Sequence, residues 1–259
     1  MPKLAKIDPS SGVAPFRQIA GILREEITSG RLAPGEKLAS EPEMVEHFQV
    51  SKTTWRNALD ELRHEGLVVS ARGLGVFVRK QAPVRRLSSD RFSRRYREEG
   101  NAAFSAEAKN SGFDAGVDNV VVRREQPNAV IAQALKVAPD SEVVVRSRRY
   151  LADGRPVQTA VSYIPAAFAE GTAIEQENTG PGGIYSRLEE SGHVLAAFSE
   201  EVRARMPAPE ERQALDIDAG IPVLTVSRIA YDTDGVPVEV CDHVMVADAY
   251  VLDYNFPAN

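Results

Sequence analysis

Two Asp-Gly dipeptides, Asp153-Gly154 and Asp234-Gly235, each stand between long β-rich runs: residues 143–151 and 156–164, then 222–231 and 237–246. Asp-Gly tolerates the positive φ angles of a tight hairpin, so each dipeptide predicts a turn between paired strands. The likeness extends upstream. Ala134-Leu135 matches Ala214-Leu215, Val143 matches Val223 and Ser147-Arg148 matches Ser227-Arg228, all at an offset of 80. One inserted residue then carries Tyr150, Asp153-Gly154 and Pro156-Val157 onto Tyr231, Asp234-Gly235 and Pro237-Val238. A period of 80 is too long for a solenoid. The expectation is two copies of a helix-strand-strand unit sharing one antiparallel sheet. Between the copies lie a glycine-rich stretch at 180–183, a helix near 184–190 and a strand near 193–205. The glycine-rich stretch lacks the lysine of a phosphate-binding loop and reads as a turn.

The first half is patterned differently. Phe16, Ile19, Ala20, Leu23 and Ile27 recur at helical spacing, Gly30 ends that helix and Pro34-Gly35 marks a turn. Ser40 and Glu43 have capping-box spacing at the start of a short helix whose buried side is Met44, Val45 and Phe48. Only Gln49-Val50 separates it from a third helix, N-capped by Ser51 and stopped at Gly66. Trp55, Ala58, Leu59 and Leu62 form its apolar stripe, so Trp55 is expected in the core. Two short strands follow, at 67–70 and 76–78, joined by Arg72-Gly73-Leu74-Gly75.

Two helices across a tight turn and then a hairpin make a winged helix-turn-helix, whose second helix enters the major groove of DNA by its N-terminal end. There the chain places Ser51, Lys52, Thr53, Thr54 and Arg56. Arg56 has the fork that matches a guanine edge, Lys52 reaches a base or a phosphate, and the hydroxyls suit phosphates. Arg72, beside Gly73 on the wing tip, suits the minor groove or the backbone.

Charge follows the same division. The whole chain has 31 Lys+Arg against 37 Asp+Glu, a net −6 that argues against a nucleic-acid partner. Located along the chain, the balance reverses: residues 1–97 hold 18 basic and 11 acidic residues, whereas 98–259 hold 13 and 26. Much of the positive excess comes from Arg85, Arg86, Arg91, Arg94, Arg95 and Arg97, opposed only by Asp90 in that stretch. Such a linker strengthens phosphate binding in a salt-dependent way. The domain division expected is a flexible N-terminus at 1–12, a winged helix-turn-helix at 13–80, a basic linker at 81–97 and a second domain at 98–259.

Residues 13–79 resemble the DNA-binding domain of GntR-family transcription regulators. The resemblance is carried by Phe16-Arg17-Gln18-Ile19-Ala20, Pro34-Gly35-Glu36-Lys37-Leu38, Phe48-Gln49-Val50-Ser51-Lys52-Thr53-Thr54, Arg56-Asn57-Ala58-Leu59 and Gly73-Leu74-Gly75-Val76-Phe77-Val78. It implies DNA contacts at Ser51, Lys52, Thr53, Thr54, Arg56, Arg72 and Gly73. Two departures stand out: Pro42 lies where many members have a DNA-touching Arg, and Lys52 replaces the commoner Arg, giving up the guanidinium fork.

The second half resembles the UTRA effector-binding domain of the HutC subfamily, which has a chorismate-lyase-like fold. The match rests on Ala152-Asp153-Gly154-Arg155-Pro156, Tyr163-Ile164-Pro165, Gly183-Ile184-Tyr185, Asp234-Gly235-Val236-Pro237-Val238-Glu239 and Asp248-Ala249-Tyr250. It implies that residues 98–259 bind an effector and dimerise, with effector contacts at Arg148, Tyr150 and Glu239. Ala160, Gly183 and Met245 stand where phosphosugar-binding members have Glu, Ser and Tyr, which counts against a phosphosugar.

The resulting expectation is an α+β chain: a winged helix-turn-helix fused to an antiparallel-sheet domain with helices. Its partners are double-stranded DNA with a near-palindromic operator, a small-molecule effector of unassigned identity and a second copy of itself. The function is regulation of transcription, as a repressor, with a constitutive DNA-binding repressor or a lyase-like enzyme as alternatives. No enzyme, cofactor or metal site is expected: the one Cys, Cys241, has no evident His partner and the four His are scattered. No apolar run approaches 18 residues and residues 1–12 hold no apolar core, so a cytoplasmic protein without a membrane span is expected.

Overall fold

The computed structural model describes residues 4–71, 73–79, 84–87, 103–218 and 220–255. The chain falls into two compact units, one centred on residues 1–81 and one on residues 82–218 with 222–259.

The first unit contains α1 (Pro15–Thr28), α2 (Glu41–Phe48), α3 (Lys52–His64) and the hairpin β1 (Val68–Ala71) and β2 (Gly75–Val78). One core joins them: Ile19 and Leu23 from α1, Met44 and Phe48 from α2, and Trp55, Leu59 and Leu62 from α3. Trp55 is 1% exposed, as its place on the apolar stripe predicts. Leu4 is buried in this core and the Asp8 amide donates to Gln18 Oε1 at 2.8 Å. Leu4 and Asp8 are therefore held against the unit, within the stretch 1–12 expected to be a flexible N-terminus. At the start of α2 the expected capping box of Ser40 and Glu43 is present, and the Glu43 carboxylate accepts from the Ser40 amide at 2.8 Å and from its hydroxyl at 2.7 Å.

The second unit is built on a six-stranded antiparallel sheet with two copies of one pattern. The first copy is β4 (Ala115–Glu125), α5 (Ala129–Leu135), β5 (Val143–Ala152) and β6 (Arg155–Pro165). The second is β7 (Leu195–Arg205), α8 (Pro209–Leu215), β8 (Val223–Asp232) and β9 (Pro237–Val246). The strand order β4-β5-β6-β9-β8-β7 reads alike from either edge. The copies meet where β6 pairs with β9, with Ala160 opposite His243 and Ser162 opposite Cys241. The repeat is thus strand-helix-strand-strand. The strand expected between the copies is the first strand of the second, and β4 is its counterpart at an offset of 80. These outer strands share little beyond Val122-Arg123 and Val202-Arg203, because edge positions face water and carry few packing constraints.

α5 packs over β9 and α8 over β6, so each helix covers the other copy's hairpin. The two hairpins differ as the inserted residue requires. Asp153 and Gly154 both have positive φ, 50° and 76°, the geometry of a two-residue type I′ turn. The second turn is longer, and the Asp232 carboxylate accepts from the amides of Asp234 (3.1 Å) and Val236 (2.9 Å).

Between the two copies lie α6 (Ala166–Ala169) and α7 (Gly183–Glu190), which pack on the sheet face opposite α5 and α8 through Ala169, Tyr185 and Leu188. Two further pieces complete the unit: α4 (Ala103–Ser111) and a parallel pair, β3 (Val84–Leu87) with β10 (Tyr250–Asp253). β3 lies where the sequence predicts linker. Arg86 is 3% exposed and ion-paired with Glu200, whose other oxygen accepts from Tyr254 Oη at 3.0 Å. Arg86 is therefore a buried structural cation and not one offered to phosphate, while Arg85 remains exposed. Arg91, Arg94, Arg95 and Arg97 lie outside the described residues. No described helix is long and apolar enough to cross a membrane.

Candidate nucleic-acid interface and ligand pocket

The turn between α2 and α3 closes in few residues because Gln49 takes a left-handed conformation, φ 55° and ψ 45°, at the C-cap of α2. Ser51 then caps α3: its Oγ accepts from the Thr54 amide at 3.1 Å and lies 2.9 Å from the Thr54 hydroxyl. Burial of Trp55, Ala58, Leu59 and Leu62 turns the opposite face outward. Ser51, Lys52, Thr53 and Arg56 are exposed there, and Thr54 is half-buried. Gly73 is exposed at φ +75°, whereas Arg72 lies outside the described residues.

One partner had no role in the sequence reading. Arg56 Nε and Nη2 donate to the two oxygens of Glu41 at 2.9 and 3.1 Å, a bidentate pair across the helix-turn-helix. Hydrogen bonding to Arg56 holds the Glu41 carboxyl below the usual carboxylate range. The guanidinium is thus presented flat and pre-oriented, yet its side chain remains 64% exposed. The capping pattern placed Glu41 on the first turn of α2, but only the angle between two helices brings it to Arg56.

The pocket opens on the sheet face that carries α6 and α7 and has a volume of about 470 Å³. Arg148, Tyr150 and Glu239, named from the sequence, all line it. Arg148 Nε donates to Tyr150 Oη at 2.6 Å and its Nη2 to Ser162 Oγ at 3.0 Å. Glu239 is 1% exposed and accepts from Tyr185 Oη at 2.7 Å, with Arg228 Nη2 at 3.6 Å. Burial pushes the Tyr185 hydroxyl well above its ordinary pKa, so it stays a donor. Burial opposes the charge on Arg148 and Arg228, and the Glu239 carboxylate near both favours it. Both guanidiniums remain charged.

Arg228, Tyr185 and Arg146 belong to the pocket and were not picked out from the sequence. For Arg228 the signal existed, because the repeat register places it at Arg148 plus 80. Arg146 has a separate task. Its guanidinium donates to the carbonyls of Ile174, Gln176 and Glu177, the last at 2.9 Å, and so fixes the chain that leads into the pocket-lining residues 177–180. Burial, helped by repulsion from Arg148, lowers its pKa to about 10. Of the departures noted above, Gly183 lines the pocket, Ala160 is buried opposite Arg148, and Met245 lies away from it with its sulfur 3.5 Å from Arg86 Nη1. The cavity therefore offers three guanidiniums (Arg146, Arg148 and Arg228), one buried carboxylate, two phenols and backbone groups, a lining for a small polar molecule.

Comparison with known proteins agrees with both parts. Residues 15–78 match the family of bacterial regulatory proteins called gntR, and residues 110–251 match the UTRA domain. An HTH-type transcriptional regulator of Streptomyces coelicolor is 32% identical over 247 residues, covering 93% of this chain and 92% of that one. The HTH-type transcriptional repressor NagR of Bacillus subtilis is 27% identical, covering 95% and 96%. The crystal structure of PhnF from Mycobacterium smegmatis shares the fold, with a TM-score of 0.61 at 22% identity over 93% of this chain and 100% of that one. The chain belongs to the GntR family of bacterial transcription regulators, in the HutC-type architecture that joins its helix-turn-helix to a UTRA domain.

Proposed function

We propose that this regulator is a homodimeric repressor that holds a near-palindromic operator through two copies of α3 and releases it when a small polar molecule fills the UTRA pocket. The observation that carries the ligand half is the convergence of Arg148 and Arg228, equivalent residues of the two repeats, with Glu239 on one open cavity. The DNA half is supported by the exposed N-terminal end of α3. In this reading Arg56 forks onto a guanine, Lys52 meets a base or phosphate, Ser51, Thr53 and Thr54 contact phosphates, and Arg72 with Gly73 positions the wing. Repression as the sign of regulation follows NagR and the Escherichia coli repressor MngR, both similar to this chain over more than 90% of its length.

Arg148, Tyr150 and Glu239 bind the effector. The pocket is read as a binding site; Cys241, whose thiol burial pushes up, does not line it. Release needs a ligand that binds the DNA-incompetent arrangement more tightly than the competent one. The test begins by selecting operator sites from random DNA with the full chain. Arg56→Ala is expected to lose specific binding while its thermal unfolding stays cooperative, and wild-type affinity for the selected site would refute the role of Arg56. A metabolite screen by thermal shift should then find a stabiliser that lowers operator affinity and loses its effect in Arg148→Ala. DNA binding that no stabiliser alters would instead mark a constitutive repressor.

A further inference from the structure

The charged groups of the pocket are unevenly committed. Its described lining sets three guanidiniums against two carboxylates, the buried Glu239 and the exposed Glu177, which leaves one positive charge. Arg228 and Glu239 neutralise one another, and Tyr185 completes the group: its hydroxyl donates to Glu239 and its ring centroid lies 5.6 Å from the Arg228 guanidinium. Glu239 thus has little left to offer the hydroxyls of a sugar. Arg146 is engaged by three backbone carbonyls. Arg148 differs, because its oxygen partners are all neutral: Tyr150 Oη, Ser162 Oγ and, at 3.2 Å, the Arg146 carbonyl. Among the described residues no carboxylate is within ion-pair distance of it. Those bonds use three of its five N–H groups, which leaves two for a ligand.

The facing wall is apolar. Residues three apart on a regular strand point to opposite faces, yet Val117 and Val120 of β4 both line the cavity. A register shift between Asp118 and Val121, where Asn119 has φ +51°, brings them to one side. Val117 is left 51% exposed. Beside them Phe104 packs on Tyr150 with ring centroids 4.7 Å apart, and Ile184 adds an aliphatic group from the first turn of α7. Covering such surface with hydrocarbon is favourable.

We propose that the effector is a small organic monoanion with a hydrocarbon body, an ionised carboxylic acid whose carboxylate sits on Arg148 and whose body lies against Val117, Val120 and Phe104. The proposal rests on the reading of this cavity as the effector site, and narrows its small polar molecule to one with a single charged head. A carboxylate matches the N–H groups that Arg148 still offers. A neutral ligand would cover that guanidinium and leave its charge without a counterion, whereas a dianion would exceed the one positive charge available. The bulge in β4 and the Arg228–Glu239 pair are then the two features that set specificity. The first supplies hydrocarbon where a sugar would need polar groups, and the second removes the acid that would receive its hydroxyls.

The test is calorimetric titration of the full-length protein with 3-phenylpropionate, octanoate, the primary amide of each acid, and glucose 6-phosphate. At least one acid is expected to bind about tenfold or more tightly than its amide. Arg148→Gln should erase the difference between acid and amide, a change that loss of packing alone would not produce. Val117→Ser, at an exposed position, should weaken the acid severalfold while thermal unfolding of the free protein stays as in the wild type. Binding of neither acid, or equal binding of acid and amide, would overturn the proposal. Glucose 6-phosphate binding more tightly than both acids, with that binding lost in Arg148→Gln, would overturn the monoanion and leave the cavity's effector role standing. An acid that binds as described yet leaves affinity for the selected operator unchanged would support the ligand class and overturn release by effector.

Discussion

Arg56, proposed above to read a base, is held by Glu41 without being committed to it. An exposed ion pair contributes little, so a guanine edge that accepts two hydrogen bonds competes with the carboxylate at small cost. The carboxylate meanwhile repels phosphate and discourages binding in the wrong register. Glu41→Gln is accordingly expected to raise affinity for random DNA while lowering the ratio of operator to random binding. Titration of both DNAs at one salt concentration measures it. In the pocket the same residue types play a different part. Arg148 and Arg228 are enclosed near one carboxylate, Glu239, and a buried charge must find partners among whatever is present. A ligand that supplies an acceptor for these guanidiniums therefore meets donors already desolvated and oriented.

At the scale of elements the repeat explains more than any single residue. Both copies end their helix in the same way: Lys136 after α5 and Asp216 after α8 adopt left-handed backbone, φ 55° and 50°. Neither is glycine, so each turn carries the steric cost of a Cβ in that region. Lys136→Gly and Asp216→Gly are each expected to stabilise the UTRA unit by about 0.5–1 kcal/mol, read as a rise in its unfolding midpoint. An equal gain at both sites would confirm that the two caps are equivalent. β3 marks the other lesson at this scale. Its residues, Val84–Leu87, include two arginines, and local sequence offers no way to tell a solvated basic linker from a strand. Only Glu200, 114 residues away, and the parallel partner β10 decide that Arg86 is buried.

For the whole molecule, net charge is a poor guide to its partner, because the total conceals the basic excess of residues 1–97. Binding to the operator should weaken with salt despite the net −6. Lys52→Gln is expected to reduce the steepness of that dependence by about one counterion per protomer, with operator preference little changed. Arg56→Ala, by contrast, should cost preference more than slope. Affinity measured across a salt series on two DNA sequences separates them.

Local patterns in the chain by themselves determined the winged helix-turn-helix, the hairpins and the duplication, because capping residues, apolar spacing and Asp-Gly turns act over a few neighbours. They also determined Ser51, Lys52, Thr53 and Arg56 as the exposed end of α3, since the apolar stripe leaves that face no other place. Resemblance to a family then supplied Arg148, Tyr150 and Glu239, which the fold brings to one cavity. Tertiary structure alone decided that β4 and β7 complete the two repeats and that β3 joins the sensor unit. It alone brought Glu41 to Arg56, set Arg146 to hold a loop, and placed Arg228 and Tyr185 beside Glu239. Each of these depends on which distant groups are close enough to pair charge or exclude water. Such proximity is a property of the packed chain, and no window of sequence contains it.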